Sequence, residues 1–352
     1  MEILIAGAGI GGLALARGLL ADGHAVRVLE AAAGPRTGGA AVTVYSNGAA
    51  ALHGLGAPLP DGLGGRIDAL EIRDARGRRV SRMDLTVMRR ATGFPVTTVP
   101  RERLTAHLAT GVPIAFGRRV ESAAPDGTVV VGGETLRADV VVGADGARSA
   151  IRAAIRSTRP AEVGWTTFQG LTPVLPRIAA GHEGVLLVGA AGLVGLMPAG
   201  DGLTQWWFDV RGDDFDPARF RDYAEPVPEL LADLDGLSSF PHLLHEVPHV
   251  WGAGRVTLLG DAAHVFPPSQ AQGANQALED AWALRRTLAG DGDLRAYEHL
   301  RTIPVRRVSR MAASERTNRP AGPLTRALAR LVPAGLAGRG YASLIRRCST
   351  VL

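Results

Sequence analysis

Residues 2–30 read EILIAGAGIGGLALARGLLADGHAVRVLE, and the order of apolar runs, glycines and one acid within them decides the fold. EILIA (2–6) is a short unbroken apolar run, the pattern of a strand buried on both faces of a parallel sheet. Residues 10–22 read as a helix and HAVRVLE (24–30) as a second strand. Between the first strand and the helix stands Gly7-x-Gly9-x-x-Gly12. Gly7 allows a tight turn, Gly9 lets backbone approach a pyrophosphate, and Gly12 lets the helix pack on the strand. The helix start at Ile10, Gly11 and Gly12 offers free N–H groups and a partial positive charge to phosphates. Glu30, followed by Ala31, ends the second strand where it can accept bonds from a ribose hydroxyl. The glycine pattern alone is weak. With strand, helix, strand and acid in their places it outweighs the alternative of a merely structural Gly-rich turn. An acid at position 30 also disfavours a 2′-phosphate, so NAD or FAD suits this unit better than NADP.

Two later segments repeat the theme of a buried strand ending in a polar turn. ADVVVGADGARSAIR (138–152) ends its strand at Gly143 and turns at Asp145-Gly146; by itself it is only a strand with a turn. GRVTLLGDAAHVFPPSQAQGANQALEDAWAL (254–284) ends a strand at Gly260-Asp261 and runs through a Pro-rich loop to Gly273-Ala274-Asn275, where a helix begins. Asp261 is placed to bind a hydroxyl or amide. The helix start at 273–275 offers backbone donors to a developing anion.

The three segments together, in this order, resemble the FAD-dependent monooxygenases of the p-hydroxybenzoate hydroxylase (aromatic hydroxylase) family, over about residues 1–290. The resemblance implies an FAD cofactor, NADPH or NADH as reductant, and a flavin hydroperoxide formed with dioxygen. That species would insert one oxygen atom into an aromatic or polycyclic small molecule. It further implies that Glu30 binds the adenosine ribose and that Asp145 belongs to a motif linked to FAD and NAD(P)H use. Asp261 would bind the ribityl chain, and Pro268, Gly273 and Asn275 would lie along the isoalloxazine. Arg101, in PRERLTAHL, matches a flavin-contacting arginine, and Arg36 sits where the family often has another. Two departures stand out. Ala271 replaces a family glycine in Pro268-Ser-Gln-Ala-Gln-Gly273, and WTTFQGLTP replaces a Trp-Arg-Gly-like element, with Trp165 or Phe168 as imperfect substitutes.

The expected fold is α/β: a Rossmann-like FAD-binding domain (1–75, 99–160 and 251–290) interleaved with a β-sheet substrate domain (76–98 and 161–250), then a C-terminal helical segment (291–352). Residues 34–66 read as loop-forming, 67–99 as short strands, and 215–235, 294–318 and a broken 323–347 as helical. In TQWWFDV, Gln205, Trp207 and Asp209 alternate with Trp206, Phe208 and Val210. Ordinary sheet packing explains an alternating strand. Aligned with the family's pocket strand, Gln205 and Trp207 face the substrate, unless the parity is off by one.

His242, His245 and His249 have metal-like spacing, but Pro241 and Pro248 break any helix there, so no metal is expected. There is no G-x-S-x-G elbow and no second glycine fingerprint, and no catalytic acid or base suggests itself. Cys348 is the one cysteine, which excludes an internal disulfide and suggests a reducing, cytoplasmic setting. No apolar run is long enough to span a membrane. All 39 basic residues are Arg; residues 301–352 hold eleven of them against one acid, Glu315, a net of +10. Without interleaved aromatics this reads as a solvated face, with no nucleic-acid or membrane partner, on a monomer or homodimer. Two other readings stay open: a flavoenzyme of this fold without oxygenation (oxidase, reductase or cyclase), and a plain NAD-dependent dehydrogenase.

Overall fold

The computed structural model describes every residue except 36–39, 291 and 315–317, so Arg36 lies outside the described residues. Its centre is a five-stranded parallel sheet in the order Val256–Leu258, Val140–Gly143, Glu2–Ala6, Ala25–Leu29 and Ile114–Ala115. Ile3, Ile5, Val141, Val142 and Val256 are all fully buried, as strands covered on both faces require. Helix Ile10–Ala21 follows the first strand and packs against helix Gly273–Ala289. Ala6 pairs with Gly143, and Gly143 with Leu258, so the three motif-bearing strands end at one level. The valine-rich residues 128–137 form a hairpin in a small antiparallel sheet with Val120–Ala123.

A seven-stranded sheet makes the second layer: Ser238–Leu244, Ala161–Thr172, Leu203–Arg211, Leu193–Gly200, Glu183–Val188, Ala69–Asp74 and Arg79–Asp84. The last two strands pair antiparallel across residue 75. The expected break at 75 therefore falls inside a hairpin of this sheet, which begins at Ala69. A short three-stranded sheet, Ala41–Val44, Val96–Pro100 and Gly65–Ile67, lies where the two layers meet.

Three local expectations need correction. The loop-like 34–66 contains helix Ser46–Gly54, whose first seven residues are buried. Residues 67–99 include helix Thr86–Thr92. The helical reading of 215–235 reduces to Pro217–Phe220 and Val227–Leu231, because prolines at 217, 226 and 228 stop anything longer. The C-terminal helices are Leu294–Ala312, Pro323–Leu331 and Ala334–Arg347, with the break at Val332-Pro333. Helix Ala334–Arg347 packs on strand Arg79–Asp84 and helix Thr86–Thr92.

Candidate active site at the strand ends

The glycine loop is held by contact with the second motif. Gly7 has φ +110°, and a side chain there would strike the Ala144 carbonyl. A methyl on Gly12 would strike the Gly7 carbonyl, and one on Gly11 would strike Leu259. Gly9 differs: a methyl there would meet nothing within 4 Å. It precedes a helix with no side-chain cap, so the first N–H groups at Ile10, Gly11 and Gly12 receive no side-chain acceptor from the N-cap residue.

Glu30 folds back over this loop. Its Oε2 accepts the N–H of Ala8 at 2.8 Å and its Oε1 that of Ala32 at 2.9 Å, which fixes the carboxylate beside Ala31. Asp145 Oδ2 accepts the N–H of Ala150 at 2.8 Å, while its Oδ1 is buried without a partner. Asp261 opens the turn Asp261–His264 at the third strand end; its side chain is exposed and accepts no hydrogen bond among the described residues.

Arg152 joins the last two motifs, a role the sequence did not suggest. It is 2% exposed and donates to the carbonyls of Ala262 at 2.8 Å and Asp261 at 3.3 Å. Burial pushes its pKa down, against the pull of Asp145 and Asp261. Behind Gly260, whose φ of +58° calls for glycine, lies a second cluster. Asp280 Oδ2 accepts the Gly260 N–H at 2.9 Å and meets His264 Nε2 at 2.6 Å. Arg301 donates to Asp280 Oδ1 at 2.7 Å and to Glu279 Oε2 at 2.9 Å, all three side chains being fully buried. Burial pushes the Asp280 pKa up, but His264 and Arg301 outweigh it and hold it below the usual carboxylate range. No pattern in the sequence marks Arg301, 21 residues beyond Asp280, as its partner.

Helix Gly273–Ala289 also starts without a side-chain cap, and Gly273, next to Ala274, faces open space. Pro268 begins the 3-10 turn Pro268–Gln270, which closes on Ala271 at φ +50°. The side chain of Asn275 is consumed inside the protein. Its Oδ1 accepts the Tyr45 N–H, and its Nδ2 donates to the carbonyls of Thr43 and Ala271, both at 2.9 Å. The expectation that Asn275 lies along a flavin is thus narrowed to its backbone N–H. Arg101 heads helix Arg101–Ala109 with an exposed side chain, and its N–H donates to Ala40 at 3.1 Å.

On the seven-stranded sheet, Gln205 and Trp207 share the face toward these elements. Gln205 is 7% exposed; its Nε2 donates to the Ala41 carbonyl at 3.0 Å, and its Oε1 is buried without a partner. Trp207 lies flat across Gly195, among Tyr45, Met197 and Tyr341. Trp206, Phe208 and Val210 point into the opposite core with Phe220, and so does Phe168, which removes it as a substitute for the family element. The three histidines diverge. His242 meets Thr167 Oγ1 at 2.8 Å, His245 meets Thr158 Oγ1 at 3.1 Å, and His249 meets Arg306 at 2.9 Å.

Two uncapped helix starts, an orphaned Asp145 oxygen and a free Asp261 carboxylate thus line one edge of the parallel sheet. That donor and acceptor set fits FAD: a pyrophosphate at the first helix start, ribose and ribityl hydroxyls at the carboxylates, and an electron-accepting ring at the second helix start.

Comparison with known proteins gives the same assignment. The family described as FAD binding domain matches residues 1–309. The aurachin C monooxygenase/isomerase of Stigmatella aurantiaca is 32% identical over 317 residues, covering 84% of this chain and 82% of that one. An FAD-dependent urate hydroxylase of Klebsiella pneumoniae is 30% identical, covering 87% of each. The crystal structure of Klebsiella pneumoniae HpxO complexed with FAD and uric acid superposes with a TM-score of 0.87 at 28% identity, covering 99% of this chain and 97% of that one.

Proposed function

The chain belongs to the FAD-binding-domain family of FAD-dependent monooxygenases, and on that premise we propose that it uses NADPH or NADH to oxygenate a flat, hydrogen-bond-donating aromatic or polycyclic molecule. When bound, the flavin supplies the activation of dioxygen and the transfer of one oxygen atom. The chain's own residues bind, orient and exclude water. In this reading Gly7, Gly9 and the N–H groups at Ile10, Gly11 and Gly12 hold the pyrophosphate, and Glu30 takes the adenosine ribose. Asp261 takes the ribityl chain, with Arg101 and Asp145 alongside. The N–H groups at Gly273, Ala274 and Asn275 stabilise negative charge on the reduced ring.

The observation that carries the substrate assignment is Gln205 Oε1, a buried acceptor with nothing to accept from, two residues from Trp207 on the same face of strand Leu203–Arg211. A substrate N–H or O–H would satisfy it, and an aromatic ring would lie on the indole. Aromatic or heteroaromatic substrates of the relatives, urate among them, support the same class. The nicotinamide has no glycine fingerprint of its own in the sequence, so it would approach the flavin from solvent. The test is turnover under labelled dioxygen with candidate substrates: one labelled oxygen atom in the product is expected. Substrate-dependent NAD(P)H consumption with no label in the product would replace oxygenation by simple oxidation or reduction.

A further inference from the structure

Helix Pro323–Leu331 lies on the protein with its apolar face outward. Leu324, Leu328 and Leu331, spaced i, i+4 and i+7, form one stripe. They are 74%, 58% and 78% exposed, and Val332 and Leu336, which follow in sequence, are exposed as well. None of the helix's own residues is buried. Its other side carries Arg326, half-buried, and Arg330, whose Nε donates to the Arg79 carbonyl at 3.0 Å. Burial of apolar surface would ordinarily turn such a helix over, so its leucines await a partner.

The charge around it selects that partner. Residues 301–352 carry eleven Arg against Glu315, and of the described ones only Arg301 is fully buried, paired with Glu279 and Asp280. Under the helix start lies a cavity of about 240 Å³ lined by the aliphatic Ile72, Val80 and Leu186, by Asp74, which is paired with Arg78, and by Arg319 and Arg326. Neither of these two guanidinium groups has a hydrogen-bond or ion-pair partner among the described residues. A second copy of the chain would bring one strongly basic segment against another. An anionic protein would satisfy the arginines but gives no reason for a stripe of three exposed leucines followed by two more exposed aliphatic side chains. An exposed apolar row with the unpaired, exposed Arg319 before the helix and the unpaired, half-buried Arg326 behind the row matches the boundary of an anionic bilayer, with acyl chains taking the leucines and phosphates reaching the arginines.

We propose that residues 319–336 form a peripheral docking surface for anionic phospholipid membrane. Leu324, Leu328, Leu331, Val332 and Leu336 enter the acyl boundary, and Arg319 and Arg326 hold lipid phosphates. No helix among the described residues is long and apolar enough to cross a membrane, and this mode of binding needs none. The sequence expectation of no membrane partner came from spanning runs and aromatic content, neither of which reports on which way a surface helix faces.

The experiment is co-sedimentation of the FAD-loaded full chain with vesicles of phosphatidylcholine alone or mixed with phosphatidylglycerol. Binding to the mixed vesicles at low salt is expected, with at least about tenfold less to phosphatidylcholine alone and weakening as salt rises. The triple variant Leu324→Ser, Leu328→Ser, Leu331→Ser should lose about tenfold in binding while keeping its flavin absorbance and melting temperature. Arg319→Gln with Arg326→Gln should lose the preference for phosphatidylglycerol. Absence of binding to the mixed vesicles, or equal binding by the triple variant, overturns the proposal. So does a dimer in solution that the triple variant converts to monomer, which would give this face to a second copy.

Discussion

Asn275 Oδ1 accepts the backbone N–H of Tyr45 at 2.8 Å, across 230 residues of sequence. With Nδ2 donating to Thr43 and Ala271, one side chain ties the bend after strand Ala41–Val44 to the start of helix Gly273–Ala289 and to the turn before it. The helix start proposed to face the flavin is therefore positioned by a residue whose side chain is held by Tyr45, Thr43 and Ala271.

Asn275→Ala should destabilise the protein by about 1–3 kcal/mol, because the Tyr45 N–H and the Thr43 carbonyl are left unpaired in a buried place. FAD affinity should fall as well, through misplacement of the backbone donors. Chemical denaturation and flavin fluorescence titration measure the two effects separately. An unchanged denaturation midpoint would show that water replaces the amide and that the clasp is unimportant.

Asp261→Ala should weaken FAD binding by about 1.5–3 kcal/mol, roughly ten- to a hundredfold, by removing a charge-assisted bond to the cofactor. His264→Ala acts differently. His264 touches Asp280 inside the protein and is fully buried, so its loss should lower the melting temperature more than the affinity. Titration and melting curves for both variants decide the matter. Equal FAD affinity in wild type and Asp261→Ala would remove Asp261 from the site.

Much of this arrangement is readable from residues 2–30, because buried parallel strands and their terminal glycines leave a local pattern. The register that brings Ala6, Gly143 and Leu258 to one level follows from strand ends that each announce themselves. Helix Ser46–Gly54 does not announce itself. SNGAAALHG opens with three poor helix formers and ends in glycine around a short Ala-Leu run, and the helix is held by tertiary contacts such as Asn47 Nδ2 to Glu279 at 2.8 Å. Arg152 and Arg301 were invisible for a related reason: in a chain whose basic residues are all Arg, nothing local separates a buried arginine from a solvated one. The orientation of helix Pro323–Leu331 was also beyond reach, since its amphipathic pattern is the same whichever face points outward.

Ala271 sits at φ +50°, where a side chain costs roughly 1 kcal/mol relative to glycine. Ala271→Gly should leave stability unchanged or raise it by up to about 1 kcal/mol, the relief being partly offset by a freer unfolded chain. Ala271→Val should lose more than about 1 kcal/mol, because a β-branched residue tolerates this region worst. A rise in melting temperature for the valine variant would be incompatible with the left-handed turn.

Gln205→Leu should leave FAD bound and raise the substrate KM by roughly five- to a hundredfold, the equivalent of about 1–3 kcal/mol for an unpaired substrate donor. Trp206→Phe is the control on the opposite face, where it packs edge-on to Phe208 at 5.8 Å between ring centroids. That substitution should change stability and leave KM alone. If the two variants exchange their effects, the substrate lies on the other side of the sheet.

Arg301→Met leaves Glu279 and Asp280 buried without their shared cation, so it should cost about 3–5 kcal/mol at neutral pH. The pH dependence sharpens the test. Asp280 in the folded wild type is held below the unfolded value of about 3.9. A depressed carboxylate contributes stability that is present above the unfolded pKa and is lost as pH falls through the folded one. In the variant, Arg301 no longer opposes burial at Asp280, and that carboxylate can shed part of its penalty by taking up a proton as pH falls. The gap between wild type and Arg301→Met should therefore shrink from pH about 7 toward about 4, the variant gaining relative stability before the wild type begins to lose its own. Arg301→Lys should recover only part of the loss, since one ammonium cannot reproduce the fork that also reaches Gln276 Oε1 at 2.7 Å. Urea unfolding of the three proteins across that range gives the answer. A gap that stays constant with pH would mean that lost packing, and not the unpaired carboxylates, accounts for the damage.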